Sequence, residues 1–261
     1  MTYLHIDKVY GNYPNFSTKP LHAVLNNGNR VYIKVFQNIQ GNRALANEYI
    51  CYKLCKILDL PIPEAGIAFL DEKTENLCNE TVYNEENYGF CFFSKRIDKA
   101  TVVNQAIVPK IVNKEIIYRI ILFDHLVYNK DRNKGNLLVT SGKKPTLYLI
   151  DHTHVFKNEC IWDNNCFLQG MNNQDYLDKD INEANKWIYN CFWDHLAKDE
   201  NVLLRNSQNF KSKINGAVFD EILNELPTSW EVSEKDAASL KEYLLYRLEH
   251  LDQMCKIIVG R

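Results

Sequence analysis

Two short runs of strand-forming residues stand near the start of the sequence, at residues 21–25 and 31–36. The Asn-Asn-Gly-Asn stretch between them, residues 26–29, consists of residues that tolerate a positive φ, which favours a tight hairpin. The pattern therefore predicts that the N-terminal part of the fold contains antiparallel sheet.

The apolar spacing then changes to steps of three and four residues, which predicts one helix over residues 43–58. Pro61 and Pro63 forbid its continuation. Residues 67–70 and 89–93 resemble further strands, joined by a polar stretch that we expect to be an exposed connection, residues 71–87.

Helical spacing dominates the second half of the chain. Asn113 is predicted to be the N-cap of an apolar helix that ends near Asn129. A short hairpin follows, with strands at residues 137–140 and 146–150, and it delivers Asp151 at its exit. Further helices are predicted from residue 181 to the end of the chain.

The predicted fold class is therefore α+β. We divide the chain into residues 1–98, a small antiparallel sheet plus one helix, and residues 99–261, a mainly helical unit that contains the hairpin. Composition agrees with a globular protein, because 46% of the 261 residues are hydrophobic and 25% are charged.

The balance of charge argues against nucleic acid as a main partner. The formal net charge is -2, from 31 basic and 33 acidic residues. Eight cysteines lie mostly in apolar stretches and form no pair of C-x-x-C motifs, which is typical of reduced, buried thiols. No apolar run reaches the length of about 18 residues that a membrane span needs, so we expect a cytoplasmic protein without membrane contact.

An aspartate and an asparagine stand five positions apart in a polar loop, as Asp131 and Asn136. This spacing alone is weak evidence, because the chain is rich in Asn and a solvated turn would explain it. The context is more specific, since an apolar helix precedes the loop and the hairpin after it ends in a second carboxylate, Asp151. Phosphoryl transfer needs such an arrangement, with a carboxylate for the acceptor hydroxyl and oxygen ligands for magnesium.

Lys34 stands within an apolar strand, where an unpaired ammonium group is costly to desolvate. Nucleotide phosphates and Glu48, on the following helix, would supply the anions, as in the lysine–glutamate pair of kinases. The alternative is that Lys34 faces solvent from an edge strand.

Three further polar residues lie near the loop in sequence. Asp124 is predicted to orient the loop backbone or Arg132 rather than to take part in chemistry. His152 and His154, with Asp151, could indicate a metal-dependent hydrolase. In an extended segment, however, the two histidines share a face that Asp151 does not.

The order of these motifs resembles that of the HipA-like kinases, relatives of the phosphoinositide and protein kinases, over nearly the whole chain. The stretches similar to that family's phosphate loop, nucleotide lysine, pairing helix and hinge are residues 15–20, Lys34, residues 47–49 and residues 94–98. Those similar to its catalytic loop and metal-binding segment are residues 129–132 with Asn136, and residues 149–152. The C-terminal helices of a compact subgroup are matched by Leu226, Pro227, Trp230, Tyr243, Leu244 and Arg247. The chain departs from eukaryotic protein kinases in having no Gly-x-Gly-x-x-Gly loop and no His-Arg-Asp motif, and in having His152-Thr153 after Asp151.

The resemblance implies a two-lobed kinase fold that uses ATP and Mg²⁺, with residues 1–98 as the nucleotide-binding lobe. The site residues that it implies are Asp131, Lys34 and Glu48 for catalysis, Ser17, Thr18, Lys34, Lys95 and Ile97 for nucleotide binding, and Asn136 and Asp151 for the metal. It points to Ser or Thr of a protein as the acceptor and allows for an inhibitory partner protein. A small-molecule or lipid kinase and a non-catalytic nucleotide-binding scaffold stay open as alternatives.

Overall fold

The computed structural model describes residues 4–12, 19–78 and 80–260. Its strands are β1 (Leu4–Asn12), β2 (Leu21–Leu25), β3 (Arg30–Lys34), β4 (Ala65–Leu70), β5 (Glu75–Asn76), β6 (Gly89–Lys95), β7 (Ala100–Val102), β8 (Leu137–Thr140) and β9 (Leu147–Leu149). Its α-helices are α1 (Arg43–Ile57), α2 (Ile117–Leu126), α3 (Asn164–Asn172), α4 (Asp180–Ala184), α5 (Lys186–Trp193), α6 (Glu200–Lys213), α7 (Gly216–Asn224), α8 (Glu234–Glu249) and α9 (Leu251–Val259).

Five strands close into a barrel in the order β1, β2, β3, β6 and β4, and β4 returns to β1. The β1–β4 pair is parallel and the other neighbours are antiparallel. In β2 and β3, alternate side chains point into the barrel, so Ala23 and Val31, which are paired in register, are both fully buried. The barrel core contains Ile6, Val9, Leu21, Ala23, Leu25, Val31, Ile33, Ala68, Leu70, Cys91 and Phe93.

The prediction of a small antiparallel sheet is confirmed in part: four of the five strand pairs around the barrel are antiparallel, but the closed barrel was not predicted, nor was β1, the strand that closes it. Its buried residues Ile6 and Val9 are three positions apart rather than two. The register with β2 shifts between Ile6 and Lys8 and again between Val9 and Gly11. These irregularities break the two-residue period by which a strand is recognised in sequence.

The hairpin and the helix predicted for this part are confirmed, whereas the predicted exposed connection is not. The β2–β3 hairpin closes with the Leu25 N–H donating to the Asn29 carbonyl at 3.0 Å, and Gly28 adopts a φ of 82°. Helix α1 ends one residue before the predicted boundary and packs between the barrel and the helical part of the chain. The connection before β6 is not fully exposed, since Thr74 and Tyr83 are buried.

Helix α2 lies at the centre of the helical part and packs against α6, α8 and α9. Asn113 does not cap this helix, because a 3₁₀ turn at Lys114–Ile116 precedes α2. Instead, the Asn113 side chain donates to the Leu147 carbonyl at 3.3 Å and accepts from the Leu147 N–H at 2.8 Å. The asparagine therefore ties the start of α2 to the predicted hairpin.

That hairpin is present as β8 and β9, and β7, which was not predicted, extends it to a three-stranded sheet. Helix α3 was also not predicted. The division of the chain at residue 98, between β6 and β7, stays a prediction. In the part of the chain that the structure describes, every helix is too short or too polar to cross a membrane.

Candidate active site

Lys34 is the last residue of β3, and its ammonium group joins three segments of the chain. Since Ile33 points into the barrel, the next side chain points outward, where α1 packs. The Nζ atom donates to Glu48 Oε1, to Asp151 Oδ1 at 2.8 Å and to Thr153 Oγ1 at 2.5 Å. The structure thus brings together a barrel strand, the helix after it and the exit of the β8–β9 hairpin.

The alternative of a solvent-facing lysine on an edge strand is wrong. Strand β3 lies between β2 and β6, and only 8% of Lys34 is exposed. The predicted strand of residues 31–36 is also too long, so Lys34 ends the strand rather than occupying its middle.

Lys34, Glu48 and Asp151 form a cluster in which the opposite charges determine the protonation states. Burial acts to lower the pKa of Lys34, but the carboxylates of Asp151 and Glu48 outweigh it and raise that pKa. Burial raises the pKa of Glu48 against the opposing effect of Lys34. Burial acts to raise the pKa of Asp151 as well, but the ammonium group of Lys34 outweighs this effect and holds the pKa of Asp151 well below its usual range. Lys34 is therefore protonated and Asp151 ionised at neutral pH.

Asp151 adopts a φ of 56°, in the left-handed region that costs a non-glycine residue about 1 kcal/mol or more. Its neighbours hold this conformation. Thr153 Oγ1 lies 2.9 Å from Asp151 Oδ1, and Arg132 Nη1 donates to the Ile150 carbonyl at 3.0 Å. Strain that the surroundings support in this way is frequent at functional sites.

Three asparagines position Asp131 in the loop after α2. The Asp131 N–H donates to Asn129 Oδ1 at 2.9 Å, and Asn133 Nδ2 donates to Asp131 Oδ1 at 3.0 Å. Asn136 Nδ2 donates to the Asp131 carbonyl at 2.6 Å. Because the Asn136 amide nitrogen is directed at Asp131, the Oδ1 atom of the same amide is left as an acceptor.

A fully buried arginine joins the two parts of the candidate centre. Arg132 donates to both oxygens of the Asp124 carboxylate, with the shortest contact at 2.8 Å. Its Nη1 atom donates to the carbonyls of Asn136 at 3.1 Å and Ile150 at 3.0 Å. One guanidinium group therefore sets the separation of Asn136 from the segment that carries Asp151. Asp124 contacts Arg132, as predicted, and that it orients the loop rather than taking part in chemistry stays a prediction.

The two histidines after Asp151 do not share a face, and that prediction is wrong because residues 153 and 154 form a turn, so the segment is not extended between the histidines. His152 is buried, and its Nε2 accepts from Arg132 Nη2 at 3.0 Å. Burial and Arg132 lower its pKa, so the ring is neutral. His154 lies at the surface and contacts Glu159. Among the described residues, no three His, Cys, Asp or Glu side chains gather as a metal site of their own.

A cleft opens beside Lys34 and Asp151. Its walls are apolar and come from both sides: Ile62, Ala65, Phe92, Val102, Leu138 and Ile150. The predicted hinge residues Lys95 and Ile97 border it, although the Lys95 N–H already donates to the Glu64 carbonyl at 2.6 Å. The predicted phosphate-loop residues Ser17 and Thr18 lie outside the described residues.

Sequence reasoning missed two polar residues of this centre. Thr153 contacts Lys34, and the side chain of Asn47, fully buried on α1, donates to the Thr153 carbonyl at 2.7 Å. Asn47 also accepts from the Trp162 indole N–H at 2.8 Å. An amide inside an otherwise apolar helix stretch was the available signal, since a buried amide needs partners.

The barrel, the helix α1 with its ion pair and the loop–hairpin centre together define a protein-kinase-like fold. Solved structures agree. A Helicobacter pylori proinflammatory kinase, CtkA, shares 15% identity over 96% of both chains, with a TM-score of 0.60. The Golgi casein kinase shares 12% identity over 99% of this chain and 73% of that one, with a TM-score of 0.54, in a crystal structure with Mn and ADP bound.

The sequence profile of one family, described as HipA-like kinase, matches residues 6–256. The chain therefore belongs to the HipA-like kinase family, as its motifs indicated. No curated protein matches the sequence significantly. Family membership and the kinase fold support phosphotransfer as the activity.

Proposed function

We propose that this protein transfers the terminal phosphate of ATP, with Mg²⁺, to a Ser or Thr hydroxyl of a protein. The observation that carries the proposal is the contact of Lys34 with both Glu48 and Asp151, beside an apolar cleft. A buried cation held by two carboxylates from separate segments is the arrangement by which kinases bind nucleotide phosphates.

The residues present fit a magnesium–nucleotide complex. Asn136 Oδ1 and the Asp151 carboxylate supply the oxygen ligands that Mg²⁺ prefers, and phosphate oxygens would complete the set. Lys34 would neutralise phosphate charge. Bound Mg²⁺ supplies electrostatic stabilisation of the transferring group. The apolar walls suit the adenine ring, and we assign the Ile97 N–H as its hydrogen-bond donor, because the Lys95 N–H is already bound to Glu64.

Asp131 is assigned to the acceptor hydroxyl. Its carboxylate is held by Asn133 and Asn136 in a loop that also carries a proposed metal ligand. In the transfer, the acceptor oxygen forms a bond to the terminal phosphorus, the bond from that phosphorus to the ADP oxygen breaks, and Asp131 takes the hydroxyl proton.

The test is incubation of the purified chain with γ-labelled ATP, Mg²⁺ and a protein extract, followed by detection of labelled phosphoserine and phosphothreonine. Lys34→Met is the informative variant, since an apolar chain of similar length fills the same space and removes the phosphate-binding cation; a second sample adds Glu48→Gln, because the Glu48 carboxylate would otherwise stay buried without its partner and lower the stability of the fold. We expect Lys34→Met to fold, as measured by circular dichroism, and to lose transfer. Unchanged turnover in this variant would contradict the assignment of Lys34.

A further inference from the structure

A second groove lies beside the candidate centre, lined by residues next to Asp131 and Asp151 in the chain. Tyr128 and Lys130, just before Asp131, line it, together with His154 in the segment after Asp151. None of its lining residues lines the nucleotide cleft. We call it the Tyr128 groove and define it by Ile39, Tyr128, Lys130, His154, Ile161 and Asp180.

The two most exposed large apolar side chains of the described residues both lie in the Tyr128 groove. Ile161 is 80% exposed and Ile39 is 69% exposed, whereas the next most exposed, Trp187, is at 56%. Ile39 belongs to the connection between β3 and α1, and Ile161 follows the segment of Asp151. Exposed apolar side chains that cluster beside a polar centre, rather than singly, are typical of a binding surface.

The groove also contains charged groups of both signs, and they differ in whether an oppositely charged side chain lies close to them. Lys157 is balanced by Asp175 and Asp178, at 3.7 and 3.6 Å. Lys130 is exposed and lies 5.7 Å above the Tyr128 ring, and no described carboxylate lies within 4 Å of its ammonium group. Asp180, at the start of α4, is likewise exposed and has no described cation within that distance.

We propose that the Tyr128 groove binds the acceptor polypeptide and selects an aliphatic side chain, which Ile39 and Ile161 contact, and an acidic side chain, which Lys130 contacts. This inference rests on the proposed function. Lys130 directly precedes Asp131 in the chain, so the groove adjoins the loop that carries the proposed acceptor-binding carboxylate. A polypeptide can present aliphatic, acidic and basic side chains along one extended segment, and the exposed Asp180 carboxylate adds a site for a basic group.

The size of the expected effect follows from burial. Covering most of one isoleucine side chain corresponds to about a tenfold change in affinity, or about 1.4 kcal/mol. Replacing both isoleucines by serine should therefore lower kcat/KM for the preferred peptide by about 10- to 100-fold, mainly through KM.

The experiment is phosphorylation of a degenerate peptide library, with Ser or Thr fixed at the centre, by the full chain with labelled ATP and Mg²⁺. The wild type should select Ile, Leu or Val at one position and Asp or Glu at another. Ile39→Ser with Ile161→Ser should lose the aliphatic selection, and Lys130→Glu should reverse the acidic selection. The matched control is Val112→Ser with Leu168→Ser, two exposed apolar residues outside the groove, and it should keep both selections.

Binding of ATP with Mg²⁺ is measured calorimetrically on the same samples, so that a failure of the proposed kinase function can be distinguished from a failure of the inference about the Tyr128 groove. Peptide phosphorylation without these selections, or with selections that the groove variants leave unchanged, overturns the inference while the kinase function stands. Transfer only to lipid vesicles or small hydroxyl compounds, tested in parallel, also overturns it. Absence of both nucleotide binding and transfer overturns the proposed function and the inference with it.

Discussion

The nucleotide cleft and the Tyr128 groove flank the same centre but differ in how their charges are satisfied. In the cleft, Lys34 is buried and binds two carboxylates. In the groove, Lys130 is exposed and has no described carboxylate within 4 Å. A preorganised, fully paired site suits a ligand that is always the same, whereas an open surface with exposed charges suits recognition of a variable acceptor.

The largest difference between the two regions is expected in the effect of substitutions on kcat. Asp131→Asn should lower kcat by about 10²- to 10⁴-fold, because the amide cannot take the hydroxyl proton. Asp180→Asn, in the groove, removes a charge of the same kind away from the hydroxyl and should change kcat by less than about threefold. Steady-state phosphate transfer measures both. Equal losses of kcat would contradict the assignment of Asp131 to the reaction and of the Tyr128 groove to polypeptide binding.

Loss of a buried ion pair at the candidate centre should also lower the free energy of unfolding more than a substitution in the Tyr128 groove. Arg132→Met leaves the buried Asp124 carboxylate without its cationic partner and with only the neutral donors Asn129 and Tyr189, and we expect the free energy of unfolding to fall by about 3–5 kcal/mol. Adding Asp124→Leu removes the stranded charge and should recover part of the loss. Urea unfolding measures both variants. A single variant as stable as the wild type would mean that the ion pair does not hold the loop to the hairpin.

The buried interior should give the protein a defined dependence on pH. Burial lowers the pKa of His125 to about 3, and its Nε2 lies 3.1 Å from Asn182 Oδ1. The unfolded chain, with an ordinary pKa of about 6.5, binds a proton that the folded chain does not. The stability from this group is therefore present above pH 6.5 and is lost as pH falls toward 3.

This loss amounts to about 1.4 kcal/mol per pH unit below 6.5. His125→Gln should reduce the slope of unfolding free energy against pH by about one proton between pH 6 and 5. Denaturant titrations at several pH values measure it. Identical slopes in the variant and the wild type would rule out a neutral, buried His125.

The smallest effect is expected at the groove. Ile161→Ser should change the free energy of unfolding by less than about 0.5 kcal/mol, because 80% of the residue is already exposed. Thermal unfolding checks this. A loss of about 2 kcal/mol or more would mean that Ile161 supports the fold rather than a partner.

Local patterns in the sequence predicted the parts of the fold that depend on short-range spacing. The β2–β3 hairpin and α1 are examples, and the predicted site residues Lys34, Glu48 and Asp151 lie in one cluster, although their roles stay predictions. Closure of the barrel was not predictable, because the bulges of β1 hide its period.

Long-range polar contacts were also beyond the sequence pattern. Arg132 bonds to Ile150, 18 positions away, and Asn47 bonds to Thr153, 106 positions away. Nothing in the spacing of these residues indicates that they meet, since the contacts depend on how α1 and the hairpin pack. The same applies to Asn113, whose residue type suggested a helix cap but whose side chain binds the hairpin.

The most direct test of the central claim compares Asp151→Asn with Asp131→Asn in calorimetric titrations of ATP, with and without Mg²⁺. If Asp151 ligates the metal and Asp131 acts on the acceptor, Asp151→Asn should weaken Mg²⁺-dependent ATP binding at least about tenfold. Asp131→Asn should bind ATP with nearly wild-type affinity. An equal loss of ATP affinity in the two variants would contradict this division of roles.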